Sequence, residues 1–309
     1  MPQRISVFNY VILPWLKEKR GGDLFCIMNK VKRLYSPFQP TLTPHGLTHL
    51  GFHVRYWTPS GLLNEFVYSF LQIESEGHSF YPMIPDGTQA LFFSKENMIV
   101  GGAQQTAQTL SIAAAGDYFG IWFNPLALHR LFLIDANDIT NQFVNSDFLP
   151  FSSLLPLHEK MYQVTEFSQR VALCQQWLAS LLFSQYDENR WSQSTNYIHH
   201  ALTLIYQSMG TIRVSQLANS VGCSSRHLNR LFQQYIGMNT KAFLQTIRLQ
   251  FLCRKLYAEK ANYNQPCYSE LAYEFGFSDQ PHLIKQFQTQ LFSTPNAFLQ
   301  EMMSDFYNR

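Results

Sequence analysis

Between residues 65 and 123 apolar and polar positions alternate in short runs broken by turn residues. The segments EFVYSFLQIES (65–75), QALFFS (89–94), NMIVGG (97–102), TLSIAAAG (109–116) and YFGIWF (118–123) are rich in β-branched and aromatic residues, the pattern of strands. PDG at 85–87 predicts a turn, with Pro85 presetting φ and Gly87 accepting a positive one. From NPLALHRLF (124–132) onward the apolar spacing lengthens. FSQRVALCQQWLASLLFSQ (167–185) puts Val171, Cys174, Leu178, Leu181 and Leu182 on one helical face. A polar stretch, DENRWSQS (187–194), then precedes a remainder that reads as helical throughout. The pattern predicts an α+β chain. A β-rich N-terminal domain with trailing helices covers 1–186, as a small barrel or sandwich of which a cupin-like fold is one form. A linker follows at 187–196, and an all-α domain covers 197–309.

The helical part repeats itself. Leu217, Ala218, Gly222 and Ser224 recur 54 residues later as Leu271, Ala272, Gly276 and Ser278, and His227, Leu228 and Phe232 recur 55 residues later as His282, Leu283 and Phe287. The tails match as well, Ala242–Phe243 with Ala297–Phe298. Each copy reads as a helix ended by a glycine in the left-handed conformation, a tight turn, and a second helix capped by Ser224 or Ser278, the extra residue falling at the start of that second helix. Pro281 is tolerable in a first turn. A duplicated helix-turn-helix is therefore expected, with Arg230 and Lys285 on the outward faces of the second helices and Leu228, Leu231, Phe232, Leu283 and Phe287 inward.

Charge sharpens this reading. Residues 195–309 hold 10 Lys and Arg against 6 Asp and Glu, whereas residues 1–194 hold 13 against 15, so a net +2 conceals a basic C-terminal third suited to a polyanion. The 5 cysteines are scattered without a C-x-x-C pair, which fits a reducing, cytoplasmic setting and neither a disulfide framework nor a zinc knuckle. No apolar run is long enough to span a bilayer. RISVFNYVILPWLKEKR near the start is interrupted by Asn9, Tyr10 and Pro14 and lacks a cleavage site, so it does not read as a signal peptide; an alternative start at Met28 would leave residues 1–27 outside the native chain.

FSDQPH (277–282), STPNAF (293–298) and Arg248-Leu249 within FLQTIRLQFLCRKLY together resemble the DNA-binding domain of the AraC/XylS family of bacterial transcription regulators, over about residues 200–301. MIPDGTQALFF and GIWFNPLALHRLF look like a β-rich sensory domain found in some members. The resemblance implies a seven-helix domain placing two helix-turn-helix units in adjacent major-groove segments, with RNA polymerase a further partner; an activator is one expectation, and repression stays open beside it. Carried over by position, the DNA-facing residues are Ser225, Arg226, Asn229 and Arg230 in the first unit and Gln280, His282, Ile284 and Lys285 in the second. Arg can read guanine, Asn and Gln adenine, and an aliphatic side chain a thymine methyl, while Arg230 and Lys285 suit phosphates equally. Ile284 is expected to face DNA. Departures from the family pattern are Phe292 where it has Gly, Thr240 where it often has Pro, and Leu252 where Ala is common.

Other candidate chemistry is thin. His45, His49 and His53 recur every four residues, but Pro44, Gly46 and Gly51 argue against a helix there, so no metal site and no cofactor is expected. His199 and His200 suit an interface or solvent, and Asp86 and Asp117 have no visible catalytic partner. G-x-S-x-G, Walker A and G-x-G-x-x-G patterns do not occur, so an enzyme is not expected. The aromatics of the N-terminal half, Trp122 among them, either fill a core or enclose a pocket for a small effector. The reading is a sequence-specific transcription regulator controlled by a small ligand or by homodimerisation through its N-terminal domain. The alternatives are an effector-independent regulator and a cupin-like metal enzyme fused to a DNA-binding domain.

Overall fold

A computed structural model describes residues 34–303 except 44–45, 48–49, 113–114, 150–152, 185–192 and 263–264. Residues 1–33, including the alternative start at Met28, and two of the three spaced histidines, His45 and His49, therefore lie outside the described residues. Eight strands are described: β1 (Phe52–Trp57), β2 (Val67–Ser75), β3 (Ser79–Met83), β4 (Gln89–Phe93), β5 (Met98–Gly101), β6 (Gln108–Ile112), β7 (Gly116–Phe123) and β8 (Phe143–Asn145). Six form one antiparallel sheet in the order β1-β2-β7-β4-β5-β8, and β3 pairs with β6 as a separate ribbon.

Five of these strands follow the alternation in the sequence; β1, β3 and β8 do not announce themselves. The first is an edge strand whose side chains are mostly exposed, the second carries Pro82, and the third is three residues long, so none shows a clear period of two. In β7 the pleat sorts Phe119, Ile121 and Phe123 to one face and Tyr118 and Trp122 to the other. The first face packs on α1 (Ala127–Phe132), α2 (Leu154–Gln163) and α3 (Phe167–Ser184) through Leu128, Met161, Val171, Cys174 and Leu178. Buried Arg170 of α3 donates to Met161 O and Val164 O and pairs with Asp117 at 2.5 Å, which gives that acid its structural partner. The second face is covered by the ribbon, through Leu71, Ile73, Tyr81 and Ile112.

Seven further helices follow: α4 (Gln193–Gln207), α5 (Val214–Val221), α6 (Ser225–Ile236), α7 (Thr240–Ala261), α8 (Tyr268–Glu274), α9 (Gln280–Leu291) and α10 (Pro295–Met303). Of the expected linker, 187–192 lies outside the described residues, and 193–196 is not linker but the first turn of α4. The central helix α7, 22 residues and so about 33 Å long, contributes Phe243, Leu244 and Ile247 to the core of the first helix-turn-helix unit and Leu249, Leu252, Cys253 and Leu256 to that of the second. Arg248 fastens the halves together, donating to Gly210 O while its guanidinium lies 5.3 Å from the Phe277 ring.

The N-terminal region enters both of these cores. Ala103 and Leu126 are buried in the first and Ile84 in the second, so the boundary between the two regions is not a boundary between cores.

Candidate nucleic-acid interface and effector pocket

The first unit forms as its residue types dictate. Gly222 ends α5 at φ 83°, and the Ser224 hydroxyl accepts the His227 N–H at 3.1 Å to start α6. Leu228, Leu231, Phe232 and Ile236 are buried, and Ser225, Arg226 and Arg230 are exposed. Asn229 is placed differently from the expectation. It is half-buried, and its side-chain oxygen accepts the backbone N–H of Thr240 at 3.1 Å. A proline at 240 would have no N–H to give, so the departure to Thr supplies Asn229 with this bond.

In the second unit Gly276 has φ 66°, but Ser278 is not the cap. Asp279 accepts the His282 N–H at 2.7 Å, and the Ser278 hydroxyl bonds the His282 ring at 3.1 Å. Ser224 and Asp279 are 55 residues apart, so the extra residue sits in the turn ahead of the cap and not at the start of the helix. Gln280, His282 and Lys285 are exposed, Leu283 and Phe287 are fully buried, and Ile284 is half-buried against the core formed with Leu249 and Leu271. Phe292, in the position where the family has glycine, takes φ 54° and is 72% exposed.

The C-terminal ends of α6 and α9 are held by the N-terminal region, which no sequence pattern signalled. At α6, the Thr140 hydroxyl donates to Gly237 O, Gln89 donates to Ile236 O, and the His129 ring lies 4.0 Å from that of Tyr235. Gly237 has φ 90°, and a Cβ there would lie 2.7 Å from Ala136 O. At α9, Gln290 O accepts the Ala107 N–H at 2.7 Å, and Gln290 donates in turn to Gln105 O. The two loops that make these contacts, 102–107 and 136–142, are bonded to each other through Gly102 N to Gln142 O, Asn141 N to Ala103 O and Gln105 N to the Asn141 side chain. They come so close that a Cβ on Gly102 would fall 1.9 Å from Ile139 O, so only glycine fits. One bracket thus grips both helices and leaves their N-terminal halves exposed.

Further bonds tie α7 and α4 to the N-terminal region. Gln250 bonds Phe38 and Pro85, Arg254 donates to Ser36 O, and Tyr35 stacks on Tyr206 at 4.7 Å. Arg130 of α1 donates to His199 of α4 at 3.2 Å. Burial and this guanidinium push the His199 imidazole down to about 4.

Two cavities share Gln39 and Trp122 in their walls: one of about 60 Å³ between the sheet and the ribbon, and one of about 260 Å³ between the sheet and the segment 37–43. Asp86, 7% exposed, stands at the smaller one. Its carboxylate accepts Thr88 N, the Thr88 hydroxyl and the Gln39 amide at 2.6–2.8 Å, and Trp122 donates to the same Thr88 hydroxyl. Burial raises the Asp86 carboxyl above its usual range, partly offset by those bonds. The bracket residues Gly102 and Gln104 line the same cavity.

Residues 217–301 match the family description of a helix-turn-helix domain, and residues 55–145 match a domain of unknown function (DUF6597). No curated protein matches. Among solved structures, ToxT from Vibrio cholerae O395 is 11% identical, covering 82% of this chain and 98% of its own, with a TM-score of 0.38. The same protein bound to (E)-4-(8-methylnaphthalen-1-yl)but-3-enoic acid gives 10%, 81%, 98% and 0.36, and unsaturated fatty acid bound wild-type ToxT from strain SCE256 gives 11%, 81%, 91% and 0.35. The paired units built around α7, their exposed basic faces and the matched description make residues 217–301 an AraC-type helix-turn-helix domain, behind a β-rich N-terminal region, in a DNA-binding transcription regulator.

Proposed function

We propose that the chain regulates transcription by setting the two helices α6 and α9 at a fixed spacing on one face of duplex DNA, and that a small ligand in the cavities beside the sheet changes that spacing. The bracket carries this reading, because it contacts the C-terminal ends of both helices and also supplies a wall of the smaller cavity. Ser225, Arg226, Arg230, Gln280, His282 and Lys285 are the residues proposed to meet DNA. Asn229 and Ile284 are reassigned to holding the domain together, since each has a structural partner. The length of α7, about 33 Å, suits units one helical turn of DNA apart, which is about 34 Å. Contact with RNA polymerase, self-association and a cytoplasmic setting are proposed from the family resemblance, and the bounds 1–186 and 197–309 remain the proposed division by function.

The test is binding of the full chain to a pool of random duplexes. If about six phosphates are contacted, affinity falls on the order of a thousandfold between roughly 50 and 200 mM salt. Arg226→Ala relaxes preference at one or two base pairs, at about 1–3 kcal/mol each, whereas Lys285→Ala weakens all sequences alike and lowers the salt slope by about one. An affinity that does not respond to salt refutes the reading.

A further inference from the structure

His227 and His282 hold the same place in the two units, the third residue of the second helix, and each gives its backbone N–H to the helix cap. Their rings are held differently. In the first unit the ring is half-buried, 6.0 Å from that of Tyr197, and its Nδ1 lies 3.3 Å from the Arg230 guanidinium. In the second unit the extra turn residue makes Asp279 the cap, so the Ser278 hydroxyl is released from capping and turns to the His282 ring instead. That hydroxyl lies 3.1 Å from Nδ1 of His282, and the Ser278 backbone N–H donates to the same nitrogen at 3.4 Å. The ring also stands edge-on to that of Phe277, at 5.4 Å and 88°.

These contacts decide which nitrogen carries the proton. A backbone N–H can only donate, so Nδ1 is the acceptor and, in the neutral ring, Nε2 holds the hydrogen. Nε2 has no partner among the described residues, and His282 is exposed. The ring therefore reaches the outside as a donor with no accepting nitrogen to spare. The exposed Asp279 carboxylate, at the same end of α9, repels a phosphate there, where the first unit has the neutral Ser224. A base edge is the remaining acceptor, and the first turn of a recognition helix is where base edges are met.

A lone donor sorts the bases of the major groove. Guanine presents two adjacent acceptors, N7 and O6, whereas adenine sets an N6 amine beside its N7 and cytosine presents an amine. We propose that His282 is the residue of α9 that selects guanine, through Nε2–H to the N7–O6 edge, and that Ser278 is a positioning residue that fixes the ring for this contact. This rests on the reading that the exposed half of α9 meets DNA and names what His282 takes there.

The test uses the full chain and the site it prefers in a pool of random duplexes. His282→Ala is expected to lose about tenfold in discrimination for guanine at one position, the value of roughly one hydrogen bond, with the salt slope unchanged. His282→Gln, whose amide both donates and accepts, is expected to shift that position toward adenine. Ser278→Ala is expected to lose about threefold at the same position and at no other, roughly half of that bond; a merely structural role would lower melting temperature and move no single base preference. Duplexes with 7-deazaguanine or 2-aminopurine in place of that guanine, which lack N7 and O6 respectively, are expected to bind wild type more weakly and His282→Ala no differently. Guanine preference intact in His282→Ala overturns the inference, as does a lowered salt slope, which would make His282 a phosphate contact. A position that responds to His282→Ala but not to Ser278→Ala overturns the positioning role. Unchanged affinity and preference in Gln280→Ala, His282→Ala and Lys285→Ala alike overturn the placement of α9 on DNA itself.

Discussion

Gln250→Leu tests whether the N-terminal region is docked on the DNA-binding domain as described. Gln250 lies mid-way along α7, is 1% exposed, and directs all of its side-chain bonds across the junction. Its amide donates to Phe38 O at 3.1 Å and Pro85 O at 2.9 Å, and its oxygen accepts the Phe38 N–H at 2.6 Å. Leucine has nearly the same volume, so no cavity opens. Three bonds at about 1 kcal/mol each are lost, and three buried backbone groups lose a partner, while the added apolar burial returns part of this. A net loss of about 3 kcal/mol is expected, or roughly 6 °C in melting temperature for a chain of this size. Hydrogen exchange gives the local readout, because 3 kcal/mol less protection speeds exchange roughly a hundredfold around residues 36–40 and 84–88 if they open as a unit. Those amides should respond and the α2–α3 layer should not. An unchanged melting temperature together with unchanged exchange at Phe38 would refute the docking.

Four other outcomes follow from the same geometry. Ile284→Ala should lower stability by about 2 kcal/mol and leave base preference intact, checked by melting and by selection from a duplex pool; lost thymine preference at full stability would restore the groove-facing role. Asp279→Ala should cost about 1 kcal/mol, and Ser278→Ala clearly less, because Asp279 is the cap of α9. Phe292→Gly should raise stability by roughly 0.5–1 kcal/mol, since an exposed Phe held at φ 54° gives up little packing when the left-handed strain is removed. His199 should make the junction acid-sensitive: its folded pKa, about 4, lies below the ordinary 6.5, so the unfolded chain takes the proton first. Its contribution is intact above about 6.5 and is lost as pH falls toward 4, by about 3 kcal/mol in all. The difference between wild type and His199→Asn across that window isolates it from Glu65, whose carboxyl is raised by burial and pairs weakly with Arg130.

The sequence by itself determined what depends on neighbours a few residues apart. The alternation of β2, β4, β5 and β7, the glycine that ends α5, the Ser224 cap and the inward faces of α6 and α9 are local consequences of residue type, and the repeat made them legible twice over. Even locally there was a limit. Ser278 and Asp279 are both good caps, and only the path of the turn selects Asp279.

Tertiary structure decided the rest. Whether Asn229 meets a base or Thr240 depends on where α7 begins in space, and whether Ile284 meets a methyl group or a core depends on how α9 lies against its neighbours. The bracket from 102–107 and 136–142 to Gly237 and Gln290 joins positions roughly a hundred or more residues apart, through backbone carbonyls that every residue type possesses. That the Gln104 Oε1 has no partner among the described residues follows from the orientation fixed when Gly102 O and Gln142 O take its amide hydrogens. Hydropathy and turn chemistry register what a residue prefers, whereas these features depend on which groups are left without partners once the chain has packed.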